Sequence, residues 1–441
     1  MRPTTVKAVV GRSSNTKKFK GRTYFLAGVF CAAAFFSAVY PFFYYSLSTD
    51  ETVRRIDLKT SPSTQAQVTT LNVLLLEVHL EGNLGDEMET SPLLDFLKQN
   101  RPSFRVYTTV ALSGWLEGHE KQLSYRSVRE HDKIDRILTM ETLLSNKTAI
   151  NDEYDLVILA PGPWKPCRLR DEVWRNKSFR IHVLFAGSII SEPDPCKLED
   201  VFKEWNPRVI VVREPRSLSK MQLLSKSYLN AHDPILSMSG DLTHTFRYST
   251  ATFEYWNKIY GDTTKYPGNV SIIFPRANNA EQSISFKSRA VVLRTWDKDD
   301  SNSSVTVPSN QVIFATSSAI EDSTVFQDWM YKYYDRFKQH QFVICDTVEQ
   351  LFGLISTAQH VYTDRCHPGV AAHVLGVDFS ILRYEEERDK LVGLRDLVYK
   401  ERHSAESIRD IFNTKAFAIL DDVLEKAALT RRNKASKIDN P

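Results

Sequence analysis

A nearly unbroken apolar run, Leu71 through Val78, follows a stretch rich in Ser, Thr, Asp and Gln and predicts a strand buried on both faces. Behind it stand Gly82-Asn83-Leu84-Gly85-Asp86-Glu87 and an amphipathic segment carrying Leu93, Leu94, Phe96 and Leu97, which together predict a glycine loop opening a helix. Short apolar runs recur at Phe104–Val110, Asp155–Ala160, Ile181–Phe185 and Val209–Val212, with helical patterns at Lys197–Trp205 and Ser217–Ser225 between the later ones. Strands that alternate with helices predict an α/β domain built on a parallel sheet.

A second series starts near Asn269. Strands are predicted at Val270–Phe274, Val312–Ala315, Phe342–Cys345, Gln359–Tyr362 and Phe379–Leu382, and helices near Val325–Phe337 and at Val348–Ser356. The span from about Asn278 to Asn310 reads as a polar insertion, and the basic residues Arg431, Arg432, Lys434 and Lys437 read as a solvated tail. The pattern therefore predicts two Rossmann-like domains facing a cleft, at 71–250 and 251–400, followed by a C-terminal helix and tail at 401–441.

Ahead of both lies a segment of another kind. Residues 1–22 carry seven basic side chains and no acidic one, and Thr23 to Leu47 contains no charge at all. Twenty-five helical residues reach about 37 Å, more than the roughly 30 Å of a bilayer core. No small-residue cleavage site follows, so the segment is expected to be one transmembrane signal anchor, its basic flank in the cytoplasm. Residues 48–70 would then be a lumenal stem, and everything beyond it lumenal.

The seven basic residues of that head exceed the net charge of +3, which leaves the remainder mildly acidic, at about −4, and without a stripe suited to nucleic acid. Glycosylation triplets at Asn146, Asn176, Asn269 and Asn302 accord with a lumenal domain. Cys31 falls in the anchor; Cys167, Cys196, Cys345 and Cys366 allow two disulfides, with Cys167–Cys196 the favoured pair. No CxxC pair is present, which argues against a cysteine zinc site.

Candidate chemistry gathers where strands are predicted to end. Thr363-Asp364-Arg365-Cys366-His367-Pro368-Gly369 reads as strand, turn and helix start, with Pro368 at the first helical position. An arginine and a histidine two apart, beside the positive end of a helix, suit an anion held next to a proton donor. The glycine loop lets backbone approach an anion or a sugar, yet matches neither GxGxxG nor the Walker loop. Arg213-Glu214-Pro215 and Ser239-Gly240-Asp241 follow other strands, with His244 three residues beyond Asp241. Asp86 is placed either to cap the helix after the loop or to act on a hydroxyl. Asp297-Lys298-Asp299-Asp300 contains a DxD spelling in a Ser/Asn-rich setting and reads as a solvated loop.

Taken in order, Gly82-Asn83-Leu84-Gly85-Asp86, Arg213-Glu214-Pro215-Arg216-Ser217, Gly240-Asp241 and Asp364-Arg365-Cys366-His367 resemble the polysaccharide pyruvyl transferase family over about 71–385. The anchor is similar to that of its Golgi type II members, which add pyruvate to galactose on N-glycans. The resemblance implies a GT-B-like fold, phosphoenolpyruvate as donor substrate with no separate cofactor or metal, and a galactose-containing glycan as acceptor. On that reading Arg213 and Arg365 hold the donor's anionic groups, because a guanidinium fork fits carboxylate and phosphate alike. His367 acts as general acid and base. Asp86 or Asp241 orients or deprotonates the acceptor hydroxyls, and Gly82, Asn83 and Gly85 line the substrate. Two positions depart from the family pattern: Cys366 stands where an apolar residue is usual, and Pro161-Gly162-Pro163 where a glycine run is more common.

Anchor, stem and topology suit a Golgi glycosyltransferase using a nucleotide sugar equally well, since fold does not decide function. An inactive lumenal carbohydrate binder is the remaining reading; Arg365 and His367, whose loss would favour it, are both present.

Overall fold

Leu71, Val73, Leu74, Leu75 and Leu76 are fully buried, and the strand that carries them forms the middle of the first sheet in the computed structural model of the protein. The structure describes residues 68–78, 83–112, 132–145, 150–167, 169, 180–190, 197–228, 234–262, 269–276, 283–296, 301–317, 340–383 and 388–438. The expected anchor, most of the stem, Gly82, Cys196, the acidic spelling at 297–300 and the helix near Val325–Phe337 lie outside them. Among the described residues no helix is long and apolar enough to cross a membrane.

Eight strands make the first sheet: β1 (Thr69–Val78), β2 (Phe104–Leu112), β3 (Arg136–Thr139), β4 (Leu156–Leu159), β5 (Gly162–Trp164), β6 (Val183–Ile189), β7 (Val209–Val212) and β8 (Ile235–Met238). Their order is β3-β2-β1-β4-β6-β7-β8, every pairing is parallel, and β5 adds to the far end of β6. The direction of winding reverses between β1 and β4, which opens a crevice beyond the carboxyl ends of the strands. Around this sheet lie α1 (Leu84–Leu97), α2 (Leu198–Trp205) and α3 (Pro215–Tyr228). Helix α1 takes its N-cap from Asn83, whose side chain accepts from the Gly85 N–H, so the capping expected of Asp86 falls to the residue three places earlier.

The second sheet is also parallel, ordered β14-β13-β9-β15-β16, from β9 (Val270–Phe274), β13 (Val312–Thr316), β14 (Gln341–Ile344), β15 (Ala358–Thr363) and β16 (Phe379–Ile381). Here the winding reverses between β9 and β15. Helices α4 (Thr250–Tyr260), α5 (Val348–Ile355) and α6 (Cys366–Val374) pack with it. The expected polar insertion is corrected. Within it β10 (Ile284–Phe286), β11 (Ala290–Trp296) and β12 (Asn302–Pro308) form a separate antiparallel sheet. Val291, Leu293 and Val307 face inward onto Ile273, Phe314 and Tyr362, while Ser and Thr alternate outward, so a half-buried pattern passes for polarity.

The expected C-terminal helix runs on through most of the tail, where Arg432 and Lys434 stay exposed, and its earlier turns are buried. After α7 (Arg388–Arg395) the chain leaves the second core and returns to the first: Leu397, Ile408 from α8 (Ala405–Ile411), and Leu420, Leu424 and Ala428 from α9 (Phe417–Ile438) are buried there. Phe417 stacks on Phe96 with ring centroids 4.4 Å apart. Arg431, expected in the tail, stands on α9 and pairs with Asp155 beside β4.

Between the two sheets sits a histidine pair. His244 Nδ1 donates to the Asp241 carbonyl (2.7 Å), so the neutral ring accepts at Nε2 from His373 Nδ1 on α6 (3.0 Å). Burial lowers the pKa of both; that of His373 falls to about 4, with His244 as the next cause. Burial, then Arg208 and Arg180, lowers His182 to about 4. These groups titrate near 6.5 when unfolded, so between about pH 6.5 and 4 the unfolded chain binds more protons. Stability is therefore expected to fall as pH drops through that window. Thermal unfolding midpoints at pH 7 and pH 5 check this: the midpoint is lower at pH 5, and less so in His373→Asn. Equal midpoints in the parent would contradict it.

Candidate active site

Arg213 follows β7 directly and is 2% exposed. Its Nε donates to Ser188 Oγ (2.6 Å), and its Nη1 pairs with Glu89 and with Asp241 Oδ2 (3.1 Å). Nη2 has no hydrogen-bond partner among the described residues. Burial alone would disfavour the cation, but Glu89 above all, with Asp241 and Glu214, holds its pKa raised. Ser188 reaches this position through an irregularity in β6 where Ala186 takes a left-handed φ of 56°.

Asp241 follows β8 and is 1% exposed; besides Arg213 it accepts from the Thr243 N–H (3.0 Å), capping a short 3-10 turn at Leu242–Thr245. Burial would raise its pKa, yet the Arg213 guanidinium, then His367 and His244, hold the carboxyl well below the usual carboxylate range. A carboxylate held so firmly is a poor proton acceptor. Its surroundings suit an anchor for Arg213 rather than a base for acceptor hydroxyls.

Arg365 and His367 arrive from the second sheet. Thr363 at the end of β15 fixes the turn, its Oγ1 accepting from the Arg365 N–H (2.9 Å) and donating to the Arg365 carbonyl (2.8 Å). Arg365 is the N-cap residue of α6, so Pro368 is third in the helix rather than first. It still lies in the first turn, where the N–H groups have no helical partner. His367 and Arg365 are each 8% exposed. Cys366 between them is a free thiol, 3.8 Å from Asp241 Oδ2, and burial pushes its pKa up to about 12. Cys345 is also free and Cys167 is disulfide-bonded, which corrects the expectation of two disulfides drawn from these four cysteines.

The two halves meet on α1. His367 Nε2 lies 3.1 Å from Glu89 Oε2, an ion pair whenever the ring is protonated. Burial would lower the pKa of His367; Glu89, followed by Asp241 and Asp86, outweighs this and the net shift is upward. A methyl at Gly85 would overlap the His367 ring at Nδ1, so glycine here is a requirement of close approach. The Leu84 N–H donates to the Ser317 carbonyl at the end of β13 (2.9 Å), joining the glycine loop to the second sheet. Thus Asn83, Gly85, Asp86, Arg213, Asp241, Arg365 and His367 all fall at strand ends or helix starts around this junction, while Gly82 is outside the described residues.

Glu89 and Ser188 belong to the site and were not foreseen. Glu89 carried a signal: a lone acid among the apolar positions of α1, three residues after Asp86 and so on the same helical face. Oxygen and nitrogen atoms of Asp86, Glu89 and His367 lie within 4.8 Å of one another, a spacing a cation could bridge. Glu89 is already paired with a fixed guanidinium, which opposes a dication at the same oxygens. We read the trio as a proton-handling group.

Comparison with known proteins gives three results. A family model described as polysaccharide pyruvyl transferase matches residues 83–386. No curated protein matches the sequence. Among solved structures, a putative UDP-N-acetylglucosamine 2-epimerase from Listeria monocytogenes is similar, at 10% identity and TM-score 0.45, over 79% of this chain and 92% of that one. The same enzyme from Rickettsia bellii gives 11% and 0.44 over 83% and 98%, and ADP-heptose LPS heptosyltransferase II from E. coli 11% and 0.33 over 80% and 100%. The family match takes in both parallel sheets from α1 onward and the junction between them. The chain belongs to the polysaccharide pyruvyl transferase family, and it is a polysaccharide pyruvyltransferase.

Proposed function

We propose that the donor is phosphoenolpyruvate and the acceptor a diol of galactose on a glycan, joined as a cyclic pyruvate ketal with release of phosphate. The observation that carries this reading is the meeting of His367, an imidazole biased toward its protonated form, with Arg213 and Arg365 at the carboxyl ends of two parallel sheets. The donor bears a phosphate and a carboxylate, and its methylene carbon must gain a proton. Arg365, the N–H groups at the start of α6 and the Nη2 of Arg213, which has no hydrogen-bond partner among the described residues, are the positive groups assigned to it.

His367 gives its proton to the methylene carbon. A C–H bond forms at the expense of the N–H bond and the double bond, leaving an oxocarbenium-like carbon. One sugar hydroxyl adds to that carbon, and its proton restores the imidazolium. The second hydroxyl displaces phosphate, which departs with the remaining proton. Asp86, half-buried in the first turn of α1, is more accessible to a hydroxyl than Asp241, which is 1% exposed and bound to Arg213. Gly82, Asn83 and Gly85 form the loop against which the sugar would lie. The basic head and uncharged segment at 1–47 support a Golgi type II membrane protein with its catalytic part in the lumen. Exposed Asn269 and Asn302, each in a glycosylation triplet, accord with that placement.

The full chain in detergent micelles, given phosphoenolpyruvate and a galactoside, is expected to add to the sugar the mass of pyruvic acid less water, read by mass spectrometry. His367→Ala lowers the rate by about 10²–10⁴-fold, the usual worth of a general acid, and Arg365→Ala abolishes the adduct at the same donor concentration. Absence of the adduct, with turnover of a nucleotide sugar instead, would replace this reading with that of a glycosyltransferase. Gly85→Ala displaces the His367 ring and is expected to cost about 100-fold in turnover, the effect of an ångström of misplacement. A Gly85→Ala protein with parental turnover would remove His367 from the reaction.

A further inference from the structure

We propose that Glu89 is the positioning residue that keeps His367 protonated and fixes the orientation of its ring. The inference rests on the pyruvyl-transfer reading above and deepens it. Glu89 is fully buried, and its two oxygens are divided between the domains: Oε1 pairs with Arg213 after β7, and Oε2 stands 3.1 Å from His367 Nε2 on α6. Asp241 also spans the two halves, but through Cys366, whereas Glu89 does so through His367 itself.

The geometry has two consequences. A carboxylate at Nε2 holds one edge of the imidazole while Gly85 packs against Nδ1 at the other, so the ring is fixed in one orientation. The same carboxylate also offsets the desolvation of the imidazolium, which would otherwise shed its proton in so buried a site. The remaining charges around His367 do not replace it. Asp86 lies on the same helix; Asp241 is bound to Arg213; Cys366 is a thiol; Arg365, Arg213 and Lys390 are cations that oppose a further positive charge.

In such a mechanism activity falls at alkaline pH as His367 loses its proton. Glu89→Gln removes the charge and keeps the shape. Its alkaline limb is expected to move acidward by about one to three pH units, the worth of an adjacent opposite charge. The same shift is expected in the titration of His367 itself, followed by NMR of the full chain carrying 13Cε1-histidine in detergent, with the resonance assigned through His367→Gln. Glu89→Asp, which retains the charge but withdraws it by one methylene, should fall between parent and Glu89→Gln; it decides the matter should Glu89→Gln not fold. A lower turnover in Glu89→Gln, with limb and resonance where the parent has them, would reduce Glu89 to a packing role and overturn the proposal. An unmoved limb in a folded Glu89→Asp beside an unfolded Glu89→Gln would do the same. A shifted resonance in a protein that forms no ketal would uphold the Glu89–His367 coupling and count against the reaction instead.

Discussion

One guanidinium holds this molecule's chemistry together. Arg213 is buried almost completely, and a cation so placed must be matched by charge or it costs several kcal/mol. Glu89 and Asp241 match it, and each carries the constraint onward: Glu89 to the ring of His367, Asp241 to the thiol of Cys366 and to the short turn from which His244 reaches His373. Elements from the first sheet and from α6 of the second are thereby held by a single set of charges. Of the Arg213 nitrogens only Nη2 has no hydrogen-bond partner among the described residues, so most of this guanidinium is taken up by the protein itself.

Much of this architecture was legible because buried parallel strands read as continuous apolar runs. Val209–Val212 and Val270–Phe274 need no context to be recognised, and their ends match the structure residue for residue. Where burial is one-sided, the signal weakens. β12, with Ser303, Ser304 and Thr306 beside Val305 and Val307, looks hydrophilic until the partner strand is known. β3, β8 and α4 left too little periodicity to be marked at all, and the C-terminal helix was foreseen without its role, because its basic residues mask the buried Leu420 and Leu424.

The candidate site was legible in a different way. Glycine, arginine, histidine and aspartate after strands are conspicuous because loops seldom need that combination, and the parallel topology sends all of them to one side. What could not be read was pairing. Nothing in the order of residues says that Glu89 divides its oxygens between Arg213 and His367, that Asn83 rather than Asp86 caps α1, or that Cys366 remains a thiol. The cap is a local choice between two equally suitable residues, while the others belong to contacts between segments more than a hundred residues apart, which only the closed fold supplies.

The return of the chain to its first core has a bearing on how the protein is made. Phe412, Leu420, Leu424 and Ala428 complete a hydrophobic interior whose other walls are strands begun at Thr69. A ribosome delivers these parts in order, separated by the whole of the second domain. While that domain is being synthesised, the apolar face of the early sheet beneath α9 has no cover of its own. The first core is therefore completed only when the final helix emerges, although α1 covers part of it from the start.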